Sequence, residues 1–210
     1  DEIKWLVRRA KDGFGLITTA AANVSEDGKG WEGEIGVFSN HQIDGLKILT
    51  NNIRKQGSIS LAQLFHGGMR SPQKITGAVP ISASINECQE SESGFSKACS
   101  DSDIYRLIKQ FTESAIRCEQ AGFDGIELHG AHGYLISQFL GFKSNRREDE
   151  WGGSIFEAIL YGRPKPTAQD VVLAWVIDDR GTKWLAVSDD SGALSMAGKT
   201  CQVNAALPPK

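Results

Sequence analysis

The stretch GFDGIELHGAHGYLISQFL, residues 122–140, decides the fold class of this chain. In its first half, Ile126 and Leu128 alternate with Glu127 and His129. An alternation of period two predicts a strand with one apolar face, and the glycines at either end favour short turns. The apolar face would pack against helices, and the polar face would look towards a ligand or into a barrel. Because a buried Glu127 would need a partner, we expect it to be a structural hydrogen-bonding residue rather than a base.

His129, His132 and Tyr134 follow this predicted strand directly. Ligands of parallel α/β proteins bind at the C-terminal ends of the strands. Two imidazoles and a phenol placed there can donate hydrogen bonds to a carbonyl oxygen and deliver a proton. The same residues are also compatible with ordinary polar contacts. A zinc site would need a third ligand and a helix or a cysteine pair, and the intervening glycines argue against a helix, so we expect no metal.

Towards the N-terminus, helix and strand patterns alternate. Ser100 and Asp103 form a candidate capping box at the start of the helix before Gly122, and Asn40 is a candidate N-cap of an earlier helix. The predicted elements are a helix over 1–10, a strand over 14–20, a helix that begins after Asn40 and ends before Gly57, a strand over 58–64, a helix over 101–121 and the strand at 123–129. This order predicts a parallel sheet, closed or open. Residues 67–100 are irregular, and loops of that length are usually functional.

The character of the sequence changes after about residue 155. Residues 171–177 and 184–187 are strand-like and are separated by turn residues, which predicts an antiparallel meander without helices. We therefore divide the chain into an α/β unit over 1–155 and a β-rich tail over 156–210. Residues 193–200 match a relaxed phosphate-loop pattern, but the sequence offers no following helix, so we expect no phosphate site there.

Composition excludes several classes of protein. The chain has 210 residues, a formal net charge of -3 and 23% charged residues, so nothing points to nucleic acid. No apolar run is long enough for a membrane helix, and the first residues lack the pattern of a secretory signal. The four cysteines form no C-x-x-C pair, which favours free thiols in a reducing compartment. We expect a cytoplasmic protein.

Residues 122–140 closely resemble the old yellow enzyme family of FMN-dependent ene-reductases. The resemblance continues through Asn145, Arg147 and residues 149–154, and residues 62–68 and 15–19 match further family segments in the same order and spacing. It covers about residues 1–155. It implies a TIM barrel that holds FMN at the C-terminal face of its strands. It also implies NAD(P)H-driven reduction of the C=C bond of a small α,β-unsaturated carbonyl compound.

The resemblance also implies roles for individual residues. Gln63 would bind the pyrimidine edge of the flavin, because an amide offers both a donor and an acceptor, and Ala21, after the first strand, would lie against the flavin. His129 and His132 would bind the substrate carbonyl oxygen close to the flavin and stabilise the enolate-like charge that develops. Tyr134 would donate a proton to the α-carbon.

The family pattern is incomplete in this sequence. It stops at Ile155, the strand that opens the family's barrel is not seen before Asp1, and Ala20 replaces a usual acidic residue. Three βα units occupy about 145 residues, so eight would need about 380. Two hypotheses remain open: an ene-reductase, or a truncated or rearranged barrel fragment without a complete flavin site and without activity. Exposed strand edges in such a fragment would favour a homo-oligomer.

Overall fold

The computed structural model describes residues 2–149 and 151–152, together with the backbone of three strands further along the chain. Short 3-10 turns at residues 26–28, 40–42 and 68–70 lie between the longer elements. The helices are α1 (Glu2–Lys11), α2 (Ile43–Arg54), α3 (Gln73–Thr76), α4 (Asp101–Gln120) and α5 (Leu135–Leu140). The strands are β1 (Leu16–Asn23), β2 (Ile35–Gly36), β3 (Ile59–Phe65), β4 (Ile81–Ser82), β5 (Lys97–Ala98), β6 (Gly125–Leu128), β7 (Val172–Ile177), β8 (Lys183–Ser188) and β9 (Leu194–Met196).

Strands β2, β1, β3 and β6 lie side by side in that order and run parallel. The predicted α/β architecture with parallel strands is therefore confirmed. Strand β1 begins two residues later than predicted and continues three residues further, to Asn23. One extra residue of β1 is accommodated where Thr18 pairs with Leu61 and Ala21 pairs with Gln63, so the register shifts between these two pairs.

Helices α1, α2 and α4 cover one face of this sheet, and the main hydrophobic core lies between them. The expected capping box of Ser100 and Asp103 is present at the start of α4. For α2 the predicted N-cap Asn40 is wrong: Asn40 is the first residue of the 3-10 turn at residues 40–42, whose N-cap is Ser39, and Gln42 is the residue that precedes α2. The core consists of Leu6, Ala10, Ile17, Ala22, Val24, Val37, Leu46, Leu49, Ile53, Ala62, Leu64, Cys118, Ala121 and Phe123.

The opposite face of the sheet is more open and more polar. Leu16 and Ile59, paired at the N-terminal ends of β1 and β3, are each 51% exposed. Nearer the C-terminal ends, the half-buried side chains of Gln63 and Glu127 lie in register on β3 and β6. This polar end of the face is where the candidate site lies.

The far edge of β6 pairs with the antiparallel strand β7, whose backbone places Trp175 opposite Ile126. Strands β7, β8 and β9 continue as an antiparallel meander, which confirms the β-rich character predicted for the tail. Strand β9, at residues 194–196, was not predicted. The boundary placed near residue 155, the predicted turns and residues 197–200 lie outside the described residues, so the division of the chain stays a prediction.

The loop between β3 and α4 carries the 3-10 turn at residues 68–70 and the short elements α3, β4 and β5. It is tied to residues 145–149 through Arg147, which pairs with Asp149 at 2.5 Å and donates to the carbonyl oxygens of Ala83 and Cys99. No helix in the described part of the chain combines the length and apolarity needed to cross a bilayer.

Candidate active site

A row of three residues crosses the sheet near its C-terminal edge. Ala21 of β1 pairs with Gln63 of β3, and Gln63 pairs with Glu127 of β6. Ala21 was predicted to follow the first strand, and this position is wrong. Ala21 lies inside β1, because the strand continues past the irregularity after Thr18 to Asn23. The row presents a small methyl group at Ala21 and polar side chains at Gln63 and Glu127.

The side chain of Gln63 is fixed by its neighbours. Its Nε2 donates to Glu127 Oε1 at 2.9 Å, and its backbone N–H donates to Thr19 Oγ1 at 3.0 Å. Glu127 is thus a structural hydrogen-bonding residue, as expected. Within the described residues Gln63 Oε1 has no hydrogen-bonding partner, so the amide keeps an acceptor, and one Nε2 hydrogen, for a ligand. This set of groups fits the pyrimidine edge of a flavin, which itself offers both donors and acceptors.

His129, His132 and Tyr134 come together just beyond the end of β6. The ring centre of His129 lies 5.1 Å from that of His132 and 5.0 Å from that of Tyr134. Since His129 follows Glu127 by two residues, it shares the polar face with Gln63. The histidine and tyrosine side chains that the sequence singled out therefore form one cluster.

The hydrogen bonds of His129 indicate its tautomer. Its Nδ1 accepts the Ala131 backbone N–H at 3.3 Å, which leaves the proton on Nε2, 3.4 Å from His132 Nδ1. Burial lowers the pKa of His129, and the neighbouring imidazole of His132 lowers it further. His129 is therefore a neutral hydrogen-bond donor at neutral pH.

Gln138 of α5 fixes the backbone that carries this cluster. Its buried side chain donates to the carbonyl oxygens of Gly133 at 2.7 Å and Gly67 at 3.2 Å, and it accepts the N–H of Met69 at 3.1 Å. His132, next to Gly133, has a φ of 59°, a left-handed conformation that costs free energy in a non-glycine residue. The amide of Gln138 thus connects the loop after β3 to the strained turn before Tyr134.

Aromatic rings support the cluster from one side. The fully buried ring of Phe65 lies 4.6 Å from the ring of Tyr134 and 5.6 Å from that of His129, measured between centres. Trp31, from the loop after β1, packs on the same phenylalanine at 5.7 Å and is 41% exposed. Trp31 therefore borders the site, although its position in the sequence gave no sign of this.

Arg70 is a further residue that the sequence analysis did not identify. Its Nη1 donates to the carbonyl oxygen of His132 at 2.8 Å, and its Cζ lies 4.9 Å from the ring centre of Tyr134. The only signal in the sequence was a cationic residue in the loop that follows the strand of Gln63. That loop lies at the ligand-binding edge of a parallel sheet, where such a residue is a candidate for anion binding.

A third histidine, His66, lies close to this site but faces away from it. Its side chain is fully buried, and its Nε2 lies 3.6 Å from Asp27, which in turn pairs with Arg106 at 2.9 Å. Burial alone would raise the pKa of Asp27, but His66 and Arg106 outweigh burial and hold it well below its usual range. Across the described residues, no group of three or more potential metal-ligating side chains is present.

Comparison with known proteins places this geometry in a family. The NADH:flavin oxidoreductase / NADH oxidase family model matches residues 2–158. The chain belongs to this family. It is 37% identical over 155 residues to "Probable NADH-dependent flavin oxidoreductase YqiG" of Bacillus subtilis, and 38% identical over 148 residues to an NADPH dehydrogenase of Bacillus licheniformis. Among solved structures, an old yellow enzyme homologue from Zymomonas mobilis superposes with a TM-score of 0.66 at 29% identity.

These matches cover only part of the relatives. They take in 73% and 70% of this chain but 41% and 42% of the two Bacillus proteins. The Zymomonas structure is matched over 76% of this chain and 47% of its own length. The matched part of the chain thus consists of barrel-like βα units of a flavin-dependent, NAD(P)H-driven oxidoreductase family. The chain spans less than half the length of these relatives.

Proposed function

We propose that this chain acts as an FMN-dependent ene-reductase, which uses NAD(P)H to reduce the C=C bond of a small α,β-unsaturated carbonyl compound. One observation carries the proposal: His129, His132 and Tyr134 form a single cluster beyond β6, on the face that also presents Gln63. Membership of a flavin oxidoreductase family supports it.

Gln63, Ala21 and His129 would hold the flavin. Gln63 would contribute its free amide edge, and its bond to Glu127 keeps that edge in place. Ala21 would allow close approach to the sheet, since its side chain is a single methyl group. The flavin would supply the hydride chemistry, which no amino-acid side chain can perform.

The histidines would bind and polarise the substrate. His129, which is neutral at neutral pH, and His132 can each direct an N–H towards the carbonyl oxygen, where negative charge would grow during reduction. A donor of this kind typically contributes about 10²–10³-fold to the rate. The contact of His129 Nδ1 with the Ala131 N–H keeps the donor proton on Nε2.

Tyr134 would deliver the proton. Its phenol is held edge-on against Phe65 and lies beside both imidazoles, so an α-carbon next to a carbonyl bound by the histidines would lie near it. A positioned acid of this type typically adds about 10²–10⁴-fold.

The second candidate is a truncated or rearranged barrel fragment that has no activity. It is favoured by the share of relatives that the chain spans, 41–47% in the matches described above. For either candidate we propose a cytoplasmic location, in keeping with the free, buried thiols of Cys88, Cys99 and Cys118. Self-association through strand edges is also part of this proposal.

The test is to purify the chain with FMN and measure flavin absorbance and NAD(P)H-dependent reduction of a simple enone such as 3-penten-2-one. We expect a coloured protein, and at least a hundredfold lower turnover for Tyr134→Phe. The matched control is Tyr105→Phe, which removes the hydroxyl of an exposed tyrosine that packs on Trp151. A folded chain that takes up no FMN would overturn the proposal in favour of the inactive fragment.

A further inference from the structure

Arg70 lies against the ring of the proposed proton donor, Tyr134. It ends the short turn at residues 68–70, and its guanidinium touches two members of the histidine–tyrosine cluster. Nη1 donates to the backbone carbonyl of His132 at 2.8 Å, and Cζ lies 4.9 Å from the ring centre of Tyr134. The charge is thus fixed at the site by one hydrogen bond and one aromatic contact.

The charge of Arg70 is not neutralised by the rest of the described chain. Arg106, Arg117 and Arg147 each have a carboxylate partner within 4 Å, whereas Arg70 pairs with none in the described residues. Its Nε and Nη2 groups also make no hydrogen bond there. Of its five N–H donors, only one on Nη1 is used.

We propose that Arg70 binds the carboxylate of the substrate, so that the preferred substrate of this site is an α,β-unsaturated carboxylic acid. The inference rests on the proposed function and specifies its substrate class. A guanidinium with free parallel donors matches a carboxylate in a bidentate arrangement, and such charge-assisted pairs are stronger than neutral hydrogen bonds. A neutral enone has no ionised group that could pair with this charge when it binds.

The cation also serves the chemistry that such a substrate needs. A carboxylate already carries a negative charge, so it withdraws electrons from the C=C bond poorly, and further charge develops on its oxygens during reduction. Arg70 neutralises this charge at the site where His129 and His132 donate their hydrogen bonds. Electrostatic stabilisation of developing charge is typically a large part of catalysis.

The overall step is balanced. The C=C π bond is broken, and one C–H bond forms at each carbon. The β-carbon receives a hydride equivalent whose two electrons come from NAD(P)H, which is oxidised to NAD(P)+. The α-carbon receives the proton of Tyr134, which solvent replaces. The carboxylate is unchanged.

The phosphates of NAD(P)H and of FMN are other anionic groups that could meet Arg70. Each is separated from its reactive ring, by a ribose in NAD(P)H and by the ribityl chain in FMN. Arg70, in contrast, lies against the cluster that carries the proton donor, so its anion must be attached close to the reacting carbon atoms. This favours the substrate carboxylate.

Binding can be measured independently of turnover. Titration of the chain with 2-butenoate, and separately with 3-penten-2-one, can be followed through the ring signals of His129 and His132 by NMR. We expect Arg70→Gln to weaken 2-butenoate binding by about tenfold or more. Arg70→Lys should weaken binding by less, because lysine keeps the charge but lacks the two parallel N–H donors of the guanidinium. The matched control is Arg9→Gln. Arg9 also has a carbonyl and an aromatic contact, both to Trp5 of α1.

The kinetic measurement is the ratio of kcat/KM for 2-butenoate to kcat/KM for 3-penten-2-one, which Arg70→Gln should lower by tenfold or more. An equal fall for both compounds would overturn the proposal and make Arg70 a positioning residue for His132. A raised KM for NADH with unchanged 2-butenoate binding would also overturn it. If the wild-type chain binds 2-butenoate through Arg70 but reduces neither compound, the proposed function fails while the anion site stands.

Discussion

The chain ends two neighbouring parallel strands in the same way and uses the two ends differently. His66 follows β3 directly, and His129 follows β6 directly. In each case the imidazole Nδ1 accepts the backbone N–H of the residue two positions later, Gly68 at 3.0 Å and Ala131 at 3.3 Å. The local backbone motif is therefore the same.

What differs is the loop that each imidazole meets. His66 is enclosed by the loop after β1, which brings Asp27 to its Nε2 and Gly28 against its ring. His129 instead meets His132 and Tyr134 from its own following turn and remains partly accessible. One histidine thus holds loops together, and the other is available to a ligand. The role is decided by tertiary neighbours rather than by the strand-end motif.

The largest expected difference between the two histidines is in the effect of removing each imidazole in turn. We expect His66→Leu to lower the free energy of unfolding by about 2–3 kcal/mol, because it removes the buried imidazole that lies beside Asp27 and leaves the buried N–H of Gly68 without its acceptor. His129→Leu should change stability by less than about 1 kcal/mol. It should lower enone turnover by about a hundredfold.

Urea unfolding and steady-state rates measure the two effects. Loss of folding in His129→Leu, together with an unaffected His66→Leu, would reverse the assignment of the two histidines. Asp12→Asn is a suitable control, since it removes an exposed ion pair with Arg8 and should change the free energy of unfolding by no more than about 1 kcal/mol.

Gln138 connects the loops that follow β3 and β6, so its loss should destabilise both loops together. Gln138→Ala removes partners from the N–H of Met69 and from the carbonyl oxygens of Gly67 and Gly133. We expect a loss of about 2–3 kcal/mol in the free energy of unfolding, since buried polar groups left unpaired are costly. The exposed Gln56→Ala should cost less than about 0.5 kcal/mol, and an equal effect of the two variants would contradict the assigned role of Gln138.

Glycine substitutions should sharpen the contrast in packing. A Cβ at Gly28 would lie 2.4 Å from Cδ2 of the buried His66, so Gly28→Ala should cost about 2–3 kcal/mol through overpacking. A Cβ at Gly133 would meet nothing within 4 Å, although its φ of 73° is left-handed. Gly133→Ala should therefore cost only about 1 kcal/mol, from backbone strain. Thermal or urea unfolding of both variants would show whether this order holds.

The smallest expected effect concerns the titration of His129. Its pKa lies below the ordinary value of 6.5, because burial and the adjacent His132 disfavour the charged form. The folded state then binds fewer protons than the unfolded state just below pH 6.5, so this group adds stability as the pH rises through that window. By NMR, His132→Asn should raise the pKa of His129, whereas the distant His41→Asn should leave it in place. An unchanged value in His132→Asn would mean that burial acts alone.

Much of this architecture could be predicted from the sequence, because it depends on local patterns. The strand of residues 123–129, the capping box at Ser100 and the cluster of His129 and Tyr134 all follow from alternation, capping residues and a short turn. Arg70 could not be assigned, since its contacts with His132 and Tyr134 span more than sixty residues. The end of β1 was misplaced because a register shift leaves no mark in the pattern of apolar residues.

The irregularity in β1 has a consequence for how this sequence can vary over time. At the shift, the backbone N–H of Gln63 donates to the hydroxyl oxygen of Thr19 rather than to a carbonyl of the neighbouring strand. A residue without a side-chain hydrogen-bond acceptor at position 19, such as valine, would leave that amide unpaired next to the proposed flavin-binding side chain. We therefore expect position 19 to accept serine in place of threonine but not valine, although valine has nearly the same shape as threonine. This constraint would hold even if Thr19 contacts no ligand.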